Sequence, residues 1–182
     1  MKNDCIELSN EYKFFENLII DVLLRRAVLK KFEEKIKKTN LTINNGIISL
    51  IWYGYVISQL SDCRKFFDKD NNAHNFKFVA RHVKSVTLQK EHHRLFKFWK
   101  ESGLENFINK YLLHADKSAG SLDNKALPKD IDKFINQLEI YFNKIGQELI
   151  SDYSGVSNQH YKSYLQESSE GAEIFFKEIK KI

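Results

Sequence analysis

Apolar side chains recur every three or four residues in segment after segment of this sequence, a spacing that confines the chain to helices packed by their apolar faces. Over residues 11–38 the series is Phe15, Leu18, Val22, Leu29, Phe32 and Ile36. Over 45–67 it is Ile48, Trp52, Val56, Leu60, Cys63 and Phe67, where the run Leu50-Ile51-Trp52-Tyr53 also predicts burial on much of the helix surface. Phe76, Val79, Ala80 and Val83 predict a short helix, followed by a second through Leu88, Leu95 and Trp99 that ends at Gly103. Leu104, Phe107, Ile108, Tyr111 and Leu112 make the next stripe. Pro128 suits a first helical turn, with Asp130 and Asp132 favourable at its positive end, and Ile131, Phe134, Leu138, Tyr141, Ile145 and Leu149 continue the helix. A last helical segment carries Ile174, Phe175 and Ile179.

The punctuation between these stripes is sparse. One Pro and seven Gly in 182 residues supply too few turn formers for a many-stranded sheet. Turns fall instead at the Thr- and Asn-rich stretch 40–45, at 68–72, at Gly103 and at the polar stretch 118–124. Amphipathic helices of this length bury their faces against one another, so the expected fold is all-α: an antiparallel helical bundle with additional short helices, a single domain over residues 1–182. Aromatic residues, 13% of the chain, are expected chiefly as core.

Composition removes several classes of function. No stretch approaches the roughly 20 apolar residues that span a bilayer, and the acidic N-terminal segment lacks the pattern of a secretory signal. Cys5 and Cys63 lie far apart and outside any C-x-x-C pair, which fits a reducing, cytoplasmic setting without a disulfide framework. There is no Gly-rich phosphate loop and no Ser or Cys nucleophile motif. His82, His92, His93 and Cys63 lack metal-ligand spacing, because adjacent histidines diverge on a helix, so neither a metal nor a cofactor is expected.

Charge is unevenly placed. Between residues 76 and 100, seven Lys and Arg face one acid, Glu91, a net of +6 in a chain whose formal total is +5. His82, His92 and His93 in the same stretch are expected to add charge below neutral pH. Charge-rich helices are usually solvated faces that mix signs to gain pairs. Here one sign dominates, which points to Lys77, Arg81, Lys84, Lys90, Arg94 and Lys97 as phosphate contacts for RNA.

Two segments carry a resemblance. Ile57-Ser58-Gln59-Leu60-Ser61-Asp62-Cys63-Arg64-Lys65-Phe66-Phe67-Asp68-Lys69-Asp70 resembles the S-x-LFDKD helix end of the AbiU-type abortive-infection proteins of the HEPN superfamily. Asn109-Lys110-Tyr111-Leu112-Leu113-His114-Ala115-Asp116-Lys117 is similar to their R-N-K-x-x-x-H-x-D-K signature, and the order of the two elements agrees over roughly residues 10–152. The resemblance implies an RNA-targeting protein of a phage-defence or toxin–antitoxin system. It implies a homodimer, with a cognate antitoxin or nucleotidyltransferase as a further partner. Active members cut RNA without metal: a histidine serves as base for the 2′-hydroxyl and a cation stands near the crowded phosphate.

Carried over residue by residue, His114 matches the family histidine and Asn109 the polar position, while Ile108 stands where the arginine is expected. Lys110, one helical turn before His114, is the replacement cation the sequence offers, without the planar fork of a guanidinium. Asp116 either orients the imidazole or caps the following turn. A histidine ending a helix also serves simply to satisfy the last carbonyls. Two readings therefore stand: a metal-independent endoribonuclease with a degenerate motif, and a catalytically inactive relative acting as a protein-interaction or regulatory subunit.

Overall fold

The computed structural model describes residues 2–39, 46–68, 74, 76–109 and 130–150, then singly 153, 155 and eight positions between 163 and 177. Among the described residues six continuous helices follow one another: α1 (Lys2–Thr39), α2 (Gly46–Lys65), α3 (Phe76–His82), α4 (Val86–Glu101), α5 (Leu104–Ile108) and α6 (Ile131–Leu149). No strand occurs among the described residues, and the fold is the expected all-α bundle. Among the described residues no helix is long and apolar enough to cross a membrane.

α1 begins nine residues before the expected start at Glu11, and Leu8 in the added stretch packs against the core. Its 38 residues make a rod about 57 Å long. α2 ends at Lys65, and Phe66 and Phe67 turn inward after it. The expected turns at 40–45 and 118–124, and Pro128, lie outside the described residues. Of the expected last helix, Glu173 is joined to α1 by an ion pair with Lys35 at 3.1 Å.

Cross-helix contacts fix the directions. The Gln59 amide donates to the Val22 carbonyl at 2.8 Å, Arg25 pairs with Asp62, and Trp52 Nε1 donates to Glu33 Oε1 at 3.3 Å, so α2 descends as α1 ascends. Tyr12 stacks on Phe142 and Arg26 pairs with Asp132, which sets α6 antiparallel to α1 as well. α4 and α6 are antiparallel too: Glu148 meets Ser85 at one end and Phe134 meets Trp99 at the other.

The core is aromatic, as expected. Phe15, Phe66 and Phe76 form a triangle with ring centroids 4.8–5.1 Å apart, and Phe142, Phe134 and Trp99 continue it between α6 and α4. Edge-to-face rings add about 0.5–1.5 kcal/mol per pair beyond the area they bury. Cys63 is fully buried, and that burial pushes its thiol pKa far up, so it behaves as a small apolar side chain. Gly103 (φ +80°) reverses the chain between α4 and α5 in a backbone region that side chains disfavour.

Candidate nucleic-acid interface

α4 is strongly two-sided. Leu88, Leu95 and Trp99 are buried, with His92 between them on the same stripe, and Lys90, Arg94 and Lys97 stand exposed on the opposite one. Ser85 caps the helix by accepting from the Leu88 N–H at 3.4 Å, and the Glu148 carboxylate accepts from the Ser85 N–H at 2.9 Å. α3 repeats the arrangement in miniature. Phe76, Val79 and Ala80 face inward, Lys77 and Arg81 face solvent, and exposed Lys84 follows in the link. The Gln89 amide donates to the Val83 carbonyl at 2.9 Å and fastens that link to the start of α4.

All six expected phosphate-binding cations are therefore exposed. Among the described residues, Lys77, Arg81, Lys84, Lys90 and Arg94 form no ion pair. Lys97 does, with Glu101 one turn on at 3.6 Å, both strongly exposed and so weakly coupled. Glu91, the single acid of the stretch, is taken up by Lys144 of α6 at 2.8 Å, so it leaves the stripe's positive field intact.

One expectation about this stretch is corrected. His92 does not charge just below neutral pH, because it is tucked among Phe67, Phe76 and Tyr141 with ring centroids 5.8–6.0 Å away. Burial, with smaller contributions from His93 and Lys77, pushes its pKa down to about 4. The signal was present in the sequence, since position 92 falls four after Leu88 and three before Leu95. His82 and His93 are exposed.

The helix-end motif is described only at its start. Ile108, at the position expected to hold arginine, is fully buried in the core. Asn109 is the C-cap of α5, while Lys110, His114 and Asp116 lie outside the described residues. A guanidinium does stand at this place, from another helix: Arg64 Nη1 of α2 donates to Asn109 Oδ1 at 3.4 Å. Arg64 and Lys100 also line a hollow of about 230 Å³ beside Phe96, and the Lys100 ammonium lies over that ring at 4.8 Å. Nothing in the spacing of either segment announced this contact, because it depends on how two helices are set against each other.

Elsewhere in the 57–70 segment the residues fasten helices. Gln59 is completely buried, and Asp62 is held by Arg25 and by Lys65 at 2.7 Å. Among the described residues no group of three or more His, Cys, Asp and Glu is placed to hold a metal ion. A second groove, of about 290 Å³, runs along the α4–α6 seam between Arg94 and Lys144. Comparison with protein-family models, with curated proteins and with solved structures finds no match to this chain.

Proposed function

We propose that this chain is an RNA-binding protein of HEPN type, working in a phage-defence or toxin–antitoxin system, that holds the phosphate backbone on the cation stripes of α3 and α4. The observation that carries the reading is the set of five exposed Lys and Arg without ion pairs among the described residues, beside an acid neutralised from α6. Cations kept apart from carboxylates cost self-repulsion, and a polyanion relieves it while releasing its own counterions.

Arg64 beside Asn109 supports a phosphate contact at the helix-end motif as well, with His114 as the base of a metal-independent cut. A second reading, a catalytically inactive partner-binding relative, is favoured by Ile108, a buried apolar side chain where the resemblance leads one to expect an arginine.

Binding of a single-stranded RNA oligomer, followed across a salt series, tests the first reading. Affinity should fall steeply with salt, and replacing Lys90, Arg94 and Lys97 by Ala should reduce the logarithmic slope by about 2, since each lost phosphate contact removes about 0.7. A slope unchanged by the triple substitution refutes the assignment of the stripe. Incubating the protein and its His114→Ala variant with RNA in the presence of a chelator separates the two readings: cleavage lost in the variant supports the nuclease, and equal, absent cleavage supports the inactive relative.

A further inference from the structure

Two neighbouring columns run along the outer side of α3. Residues four apart on a helix stand one above the other, so Lys77 and Arg81 form one column and Phe78 and His82 the next, about 100° round the axis. The cation column is exposed and, among the described residues, forms no ion pair; exposed Lys84 follows two residues beyond His82. The ring column differs in kind. Phe78 is half-buried, His82 is exposed, and their ring centroids lie 4.5 Å apart with the planes tilted by 57°.

The His82 ring is held as well as exposed. Its Nδ1 lies 2.9 Å from the Phe78 carbonyl oxygen, and because a carbonyl only accepts, Nδ1 carries the proton and donates. That bond and the Phe78 ring together fix the imidazole plane. An exposed side chain ordinarily loses rotamer freedom when a ligand orders it, which weakens binding; a ring already fixed by two contacts loses little. Cations alone would hold the phosphates of a duplex and of a single strand alike. A fixed, exposed ring beside them offers something further to an unpaired base, whose flat face is free, and nothing to a paired base, which is already stacked on its neighbours.

We infer that α3 binds an unpaired nucleotide of RNA, the base stacked on the His82 ring and the flanking phosphates held by Lys77, Arg81 and Lys84. The inference rests on the RNA reading above and deepens it, naming an unpaired segment as what is bound and His82 as the residue that meets the base. Every base has a π-face, so this site selects for the absence of pairing and not for sequence. The competing role of His82 is to close the last turn of α3 through its bond to the Phe78 carbonyl. That role needs the Nδ1 proton and makes no use of the ring face, which allows the two to be separated.

An oligo(U) strand and an abasic strand of equal length and charge, titrated at one salt concentration, are the probes. The protein should bind the base-bearing strand about fivefold or more tightly, the lower end of what one stacked base contributes. His82→Gln keeps a polar group and removes the ring, and should bring the two affinities within about twofold of each other. His82→Phe restores a flat face without the Nδ1 proton, so it should keep the preference for the base-bearing strand while its thermal melt falls to that of His82→Gln. A preference lost equally in both variants, or one that survives His82→Gln, overturns the assignment of the ring. Salt-dependent binding of both strands with equal affinity by the unaltered protein overturns this inference alone, whereas no salt-dependent binding of either overturns the RNA reading with it.

Discussion

Arg64 and Asn109, 45 residues apart in sequence, meet where α2 and α5 come together, the guanidinium donating to the amide oxygen at 3.4 Å. The contact sets a planar cation beside Asn109, next to Ile108, which is buried in the core. Under the RNA reading, Arg64→Ala should weaken binding about three- to tenfold, as expected for a charge-assisted contact, and Arg64→Lys should recover only part of it because an ammonium lacks the fork. Titration of the three proteins with one oligomer at fixed salt checks this, and full activity of Arg64→Ala would exclude a role for the guanidinium.

The cation stripe also predicts how the free protein responds to salt. Screening lowers repulsion among Lys77, Arg81, Lys84, Lys90 and Arg94, so Tm should rise by a few degrees between about 0.01 and 0.5 M NaCl, over which the Debye length shrinks from about 30 Å to a few Å. The Lys90, Arg94 and Lys97 triple alanine variant should show a smaller rise. Calorimetry of both proteins at the two salt concentrations measures the difference.

His92 makes stability depend on pH. Its pKa in the folded chain is about 4, against an ordinary value of 6.5, so between those limits the unfolded chain binds a proton that the folded chain refuses. Its contribution is complete above pH 6.5 and is lost as pH falls toward 4, by up to about 3 kcal/mol. Glu16 and Glu139, whose carboxyls are raised by burial, lean the other way just above pH 4.5. The clean measurement is therefore the difference in denaturant midpoint between the protein and His92→Gln, which should shift in favour of the variant as pH drops from 7 to 4.5. A constant difference across that window would show that the imidazole titrates normally.

At Gly146, α6 lies tight against Tyr12 and Tyr153. A Cβ there would overlap the Tyr12 hydroxyl and the Tyr153 ring. Gly146→Ala should cost about 2 kcal/mol despite the better helix propensity of alanine, a drop in Tm of about 4–8 °C. Adding Tyr12→Phe, which removes one of the overlapping atoms, should restore part of the loss. Thermal melts of the single and double variants decide it.

What the sequence made readable was whatever lies within one helix. The stripes of Phe15 to Ile36, of Leu88 to Trp99 and of Ile131 to Leu149 are properties of a 3.6-residue turn, and each became a buried face. The stop at Gly103 follows from backbone sterics, and the exposure of the six cations from the opposite side of the same stripes. Arg64 with Asn109 and Glu91 with Lys144 are relations between helices. They depend on how far one rod is slid along another, a quantity set by the whole core and carried by no local spacing.

The position of α6 between α1 and α4 has a consequence for how the protein matures. A chain leaving the ribosome from its N-terminus can pair α1 with α2 early, through neighbours such as Val22 and Gln59. α4, in contrast, stays without its cover until Phe134, Tyr141 and Lys144 of α6 have been synthesised. Its surface acquires its final shape late, so a nascent fragment ending before α6 would display the cations yet lack the α4–α6 seam beside them.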